Sequence, residues 1–305
     1  MSKLAPIAKS LSVVAGCMSA ALFTSSALAT ERNASIPDFS GMWGRNAFDL
    51  EAPQAGPAPV VNIKRLPNGT GDPQALVGDY NNPILKPEAA QIVKQQGQVS
   101  LSGDAFPDPS NQCAPYPPPY TLAMQLGVQL LQAKNEVTLI YPQDDQIRRV
   151  RLNAAHPAHV TPSWKGDSVG HYEGDTLVVD TVGIKTGPLA MVDRYGTPHS
   201  EALHVVERYR LIDGEAAREA AARHEKLLGR LGGPPGAMLT DPNYGKGLQV
   251  QVTVEDPTVF TTPWSATVTY QRSRLEWTEQ VCAENFREYY HGKDTTIPQA
   301  AKPDF

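Results

Sequence analysis

The stretch Trp164-Lys-Gly-Asp-Ser-Val-Gly-His-Tyr-Glu-Gly-Asp-Thr-Leu-Val-Val-Asp-Thr181 decides the fold of this chain. Ser168 to Tyr172 and Thr176 to Thr181 are short runs rich in β-branched and aromatic residues, which suit a pleated surface. Between them Glu173-Gly-Asp175 marks a tight hairpin, where Gly174 supplies the positive φ that the turn requires. A further run, His199-Ser-Glu-Ala-Leu-His-Val-Val-Glu-Arg-Tyr-Arg210, follows and is dense in histidine and acid. Antiparallel β-structure with ionisable groups on both faces is the expectation.

Outward from this core the same texture recurs at 136–141, 146–152, 202–212, 248–254 and 265–275, each run bounded by Gly, Pro, Asn or Asp. Seven short strands, most joined by tight turns, imply a mainly β fold. The expected form is an antiparallel meander closed as a lipocalin-like barrel, with a sandwich as the alternative. The barrel domain is placed at 135–290, and 291–305 is a C-terminal tail.

Residues 30–134 read differently, as an irregular Pro- and Gly-rich arm. Phe39 and Trp43 around Gly41 suggest one short strand. The run 86–97 is a helix candidate, with Pro87 in its first turn and Gly97 as its stop. Cys113-Ala-Pro-Tyr-Pro-Pro-Pro-Tyr120 should be extended polyproline that wraps the core or lends its tyrosines to a ligand. One helix is inserted near 213–231, where Ala217, Ala221, His224, Leu228 and Leu231 share a face. It either covers a barrel mouth or packs outside to bury an edge.

The first 29 residues read as a signal peptide. Lys3 and Lys9 precede the apolar segment 11–23, and Ala27-Leu-Ala29 is a cleavage site. Val14-Ala-Gly-Cys17 offers a rival lipoprotein reading with a lipid anchor at Cys17. No later run reaches the ~20 apolar residues that span a bilayer, so a periplasmic or secreted protein is expected. Cys113 and Cys282 then remain, and an exported chain usually pairs such cysteines. The chain-entropy model credits a loop of that length with about 5 kcal/mol. With 27 Lys and Arg against 32 Asp and Glu, the net charge of −5 offers no basic face for nucleic acid. The oligomeric state is not legible.

The chain from about 135 to 285 resembles a large family of exported, mostly uncharacterised bacterial proteins. The resemblance rests on elements in order: Trp164–Gly170, Glu173–Val179, Gly196–Glu201, Leu203–Arg208, Glu255–Pro257, Pro263–Trp264 and Cys282–Asn285. Asn153-Ala-Ala155 stands where that pattern has a charged turn, and the helix near 213–231 looks like an insertion. The resemblance implies an exported β-rich protein and carries over no catalytic residues.

Chemistry is therefore read from the residues alone. Along 199–210 one face would present His199, Glu201, Leu203, Val205, Glu207 and Tyr209. The other would present Ser200, Ala202, His204, Val206, Arg208 and Arg210. A carboxylate beside an imidazole orients it and raises its pKa towards a working general base. An arginine nearby would hold an anion or a developing enolate. The candidate catalytic set is His199, Glu201, His204, Glu207 and Arg210, with Asp193 and His156 from neighbouring loops. The plainer reading is a strand with one solvated charged face and one half-polar barrel face.

His156, His159, His199 and His204 have no zinc-type spacing, so no metal is expected. No Gly-x-Ser-x-Gly elbow and no glycine-rich phosphate loop is present, so no cofactor is expected either. Trp43, Trp164, Trp264 and Trp277 either line a pocket or fill the core. Two functions follow. One is a cofactor-independent lyase, isomerase or hydrolase acting on a small organic molecule inside the barrel through a His/carboxylate pair with an Arg. The other is a lipocalin-like periplasmic binding protein for an apolar or aromatic ligand, without catalysis.

Overall fold

The computed structural model describes residues 36–45, 49–103, 108–109, 113–124, 127–228, 240–241 and 243–274. The leader with Cys17, the helix end at Leu231, Trp277, Cys282 and the tail 291–305 lie outside these residues. So does the proposed Cys113–Cys282 bond.

Nine strands close into a barrel in chain order: β1 (Gly41–Gly44), β2 (Val128–Gln132), β3 (Glu136–Tyr141), β4 (Gln146–Leu152), β5 (Asp167–Glu173), β6 (Thr176–Val182), β7 (His204–Asp213), β8 (Lys246–Glu255) and β9 (Trp264–Arg272). The mainly β barrel is as the alternation implied, and the sandwich is not formed. Gly174 sits at φ 60° between Glu173 and Thr176, the first central position of a hairpin turn of the II′ kind.

Nine is an odd number, and that has a topological cost. A ring of strands that alternates direction throughout must have an even count, so an odd closed ring needs at least one parallel neighbour pair. Here β4 runs parallel to β5 through Val150–Ser168, Arg151–Val169 and Leu152–Gly170. A parallel pair needs a long return connection, and 153–166 provides it. This departs from a strict antiparallel meander, and the return segment carries His156 onto the outside of the barrel wall.

The barrel also begins earlier than position 135. Strands β1 and β2 come from the arm, and β1 closes the ring by pairing with β9 through Trp43–Arg272 and Gly44–Gln271. Interior positions are set by period-two alternation. They include Val128 and Leu130, Val137 and Leu139, Val150, Leu177 and Val179, Val205, the valines of β8, and Trp264, Val268 and Tyr270, all buried. Burying such side chains stabilises by roughly 1.5–3 kcal/mol each.

Helix α1 (Pro87–Ser102) runs through Gly97 and stops at Gly103, which adopts φ 76°. Gly97 is no terminator because it serves packing: a Cβ there would meet Val77 Cγ1 at 2.9 Å. Helix α2 (Gly214–Leu228) starts with Asp213 accepting from the Glu215 amide. It packs against β7, β8 and β9. Ala217 sits over Gly247, which pairs with Ile212 on the outward side of the sheet. The helix therefore covers the outer wall, the second of its two expected placements.

The proline arm reaches the interior. Tyr120–Ala123 is a buried 3-10 turn. The Tyr116 amide donates to Gln146 Oε1, and the Tyr270 hydroxyl donates to the Leu122 carbonyl at 2.8 Å. Gln146 and Tyr270 both occupy inward positions, so this segment plugs the barrel. No helix among the described residues is long and apolar enough to cross a membrane.

Candidate functional site

Two clusters of ionisable groups meet the same strand, β7, from opposite sides. On the inner side, Val150 and Leu152 fix the register of β4 and carry Arg148 inward with them. Arg148 meets Glu207 in a two-pronged pair: Nη1 to Oε1 at 3.0 Å and Nη2 to Oε2 at 2.6 Å. Arg148 Nε also donates to Ser168 Oγ at 2.9 Å and Nη2 to Thr181 Oγ1 at 2.5 Å. The two side chains are 1% and 0% exposed. Burial alone would lower the Arg148 pKa, but Glu207, with Tyr141 and Tyr209, outweighs it and raises the value. The pair stays ionised because each charge faces its opposite and the guanidinium is held by further acceptors.

Around this pair lie polar atoms without a partner. The indole Nε1 of Trp264 and the amide Nε2 of Gln146 are buried and make no hydrogen bond, while the buried hydroxyls of Tyr141 and Tyr209 face each other beside Arg148. All four residues occupy inward strand positions. Burial pushes the Tyr141 phenol up to about 12, so it stays protonated. The Lys165 ammonium lies 4.7 Å from the centre of the Tyr141 ring and donates to the Tyr116 carbonyl.

On the outer side runs a relay of imidazoles and carboxylates. His204 Nε2 and His156 Nε2 both approach Asp180 Oδ1, at 3.0 and 3.1 Å. His156 Nδ1 lies 2.6 Å from Asp167 Oδ1, and Arg151 clamps Asp167 with bonds of 2.7 and 2.9 Å. The bond to Asp180 raises the His204 pKa, and the same bond lowers that of Asp180. Arg151 and then His156 hold Asp167 low against some burial. Among the described residues, no group of three or more His, Cys, Asp or Glu is placed to hold a metal ion.

Comparison with family models, curated proteins and solved structures finds no match. The site must be read from its own geometry.

The seven residues expected at one site are spread over four places. Glu207 is inside the barrel. His204 and His156 meet outside it through Asp180. Arg210 is exposed on the outer face and reaches Gln249 Oε1 at 3.3 Å. His199, Glu201 and Asp193 are not on a strand, because β7 begins only at His204. Ser200 folds 199–203 into a turn instead: its amide and hydroxyl bond Asp256 at 2.6 and 2.8 Å, and its Oγ accepts from the Ala202 amide. Glu201 is exposed at that turn.

His199 is buried, its Nδ1 is 3.1 Å from the Ser200 carbonyl, and burial lowers its pKa. Asp193 accepts from the amides of Tyr195 and Thr197 at 2.8 and 3.2 Å, organising its own loop. Burial pushes its pKa up to about 6.

Sequence reasoning missed Arg148, Asp180, Asp167 and Arg151. Arg148 was detectable, since it shares the parity of Val150 and Leu152. Asp180 gives a similar signal: in Thr176–Val182 it stands opposite in parity to Leu177, Val179 and Thr181, and so faces outward beside His204.

Proposed function

We propose that this protein binds a small organic molecule within the barrel, as a binding protein without catalysis. One observation carries the reading. The interior combines an apolar, aromatic lining with buried, unpartnered hydrogen-bonding atoms on Trp264 and Gln146, beside the paired phenols of Tyr141 and Tyr209. Buried polar atoms in proteins are normally paired, and an unpaired group costs about 1–3 kcal/mol. Two such atoms facing one interior are accounted for when a ligand supplies the partners.

The neutral apolar probe N-phenyl-1-naphthylamine tests this by its fluorescence. Saturable binding to the native protein is expected, lost in Ala266→Phe, which fills an inward position, and kept in Thr253→Phe, which points outward. Equal binding by both correctly folded variants would remove the barrel from the account.

A second reading, a cofactor-independent lyase, isomerase or hydrolase, is favoured by the His204–Asp180 pair, with His204 as general base and Arg151 nearby. It requires that His204→Ala abolish turnover and that turnover survive exhaustive chelation.

Export to the periplasm or beyond the cell, with a Cys113–Cys282 bond, completes the proposal. Its support is the leader pattern at 1–29 and the pairing habit of cysteines in exported proteins. Peptide mapping without reduction should yield one cross-linked peptide from the mature protein, whereas two alkylatable thiols would end the idea.

A further inference from the structure

We infer that the interior is built for a neutral molecule bearing carbonyl-type acceptor oxygens: a ketone, quinone, ester or lactone on an apolar frame. This rests on the binding reading above and specifies its ligand.

The first argument is the polarity of what is missing. Each unpartnered interior atom, on Trp264 and Gln146, can donate. The indole N–H and the amide NH2 can do nothing else, and the phenols of Tyr141 and Tyr209, bonded to each other, keep one hydrogen between them to give. The interior acceptors are already served: the Glu207 carboxylate takes two bonds from Arg148, and Gln146 Oε1 takes the Tyr116 amide. A site with donors to spare and its acceptors engaged selects a ligand with oxygens to accept. A hydroxyl-rich ligand would bring donors that find no partner, at a cost.

The second argument is charge. Among the buried inward positions of the described strands, the charges are Arg148 and Glu207, which cancel; Asp213 and Lys246 face each other at the exposed ends of β7 and β8, and Arg272 is the remaining one. Arg272 lies at the end of β9, stacked over Trp43 and Tyr244 at 5.2 Å each and bonded to the Ser40 carbonyl. Among the cations that border the interior, Lys165 and Arg45 are engaged. Lys165 is bonded to Tyr116 and Thr121, and Arg45 donates to the carbonyls of Leu122 and Asp49. A carboxylate entering here would face Glu207 without a free cation, and an ammonium would face Arg148. A neutral ligand meets neither penalty.

A matched trio of probes separates the possibilities: acetophenone, its hydrocarbon counterpart ethylbenzene, and benzoate. Binding to the full mature chain is measured by calorimetry or saturation-transfer NMR. Acetophenone is expected to bind about tenfold tighter than ethylbenzene, the scale of one good buried hydrogen bond, and benzoate weakest of the three. Tyr209→Phe and Trp264→Phe should each shrink the ratio of acetophenone to ethylbenzene affinity, because each removes a donor and keeps an aromatic ring in its place. If ethylbenzene and acetophenone bind equally, or if benzoate binds best, the inference on ligand class fails while barrel binding stands. If none of the three binds and the naphthylamine probe also fails, the binding reading itself falls.

Discussion

Strand β7 carries two charged contacts three residues apart, and they live in different worlds. At Glu207 the carboxylate faces inward to Arg148, and both side chains are essentially inaccessible to water. At His204 the imidazole faces outward to Asp180, with exposures of 36% and 40%. The distances are alike, 2.6 against 3.0 Å, so length says little about worth. Water decides. Outside, solvent and salt screen the pair and would solvate either partner alone. Inside, each charge has only the other and a few hydroxyls, so losing one strands its partner in a low-dielectric medium.

The largest effect should come from splitting the inner pair. Glu207→Leu or Arg148→Leu alone is expected to destabilise by about 3–5 kcal/mol, read from urea unfolding. The double variant Arg148→Met/Glu207→Leu should recover most of that loss, since a matched apolar pair leaves no orphan charge. Single variants as stable as the parent would show that water reaches the interior, and the contrast between the two faces would collapse.

Next comes Asp193, a buried carboxylate without a cation, which isolates what Arg148 does for Glu207. Its folded pKa is raised from 3.8 to about 6. A raised folded value means that the stabilisation is fully present below 3.8 and is lost as pH rises through about 6. At neutral pH the ionised group costs about 3 kcal/mol, from roughly two pKa units. Asp193→Asn keeps an acceptor for the Tyr195 and Thr197 amides. It should therefore be more stable than the parent at pH 7 and should lose the decline in stability between pH 4 and 6. An unchanged pH profile would mean that Asp193 does not titrate as its burial requires.

The outer pair should matter least among the charged contacts. His204 has a raised folded pKa, so its contribution is present below the unfolded value near 6.5 and fades as pH climbs through the folded one. Because the group is more than a third exposed, His204→Ala should cost at most about 1 kcal/mol, and less at high salt. NMR titration should find the His204 imidazole titrating above the ordinary range in the parent and returning to it in Asp180→Asn.

Last comes Tyr209→Phe. Its hydroxyl faces only the Tyr141 phenol, which keeps Arg148 beside it, so stability should shift by no more than about 1 kcal/mol in urea unfolding. A larger loss would show that Tyr209 anchors the interior through more than that one neutral bond.

Much of the wall was legible because alternation is a local signal. The runs at 136–141, 146–152 and 176–181 become strands with nearly the same ends, and the hairpin at Gly174 forms where glycine allows it. What stayed hidden depends on distant partners. Strand β2 is a brief Val-Gln-Leu-Leu-Gln run whose only reason to extend is the pairing with β1 and β3. Gly97 reads as a helix stop until Val77, far back in the chain, explains why a side chain there would not fit. The inner pair joins positions 59 apart, and the apolar Ile147 is 58% exposed while its neighbour Arg148 is buried. The inward parity set by Val150 and Leu152 overrules the hydrophobicity of a single residue. The turn at 199–203 also defeated a strand reading, since nothing near it in sequence announces Asp256 as its anchor.

The uneven count of strands also shapes how the wall can breathe. Pairing is long from β5 through β9, reaching His204–Glu255 to Asp213–Lys246 between β7 and β8. It is brief at the parallel join over Val150–Leu152 and on both sides of the short β1, where Gly41–Trp43 meets β2 and Trp43–Gly44 meets β9. The ring thus behaves as two stiff staves hinged at two thin seams. A molecule bound for the plugged interior has its easiest passage by parting a seam, and the seam beside β4 is the one that carries Arg148.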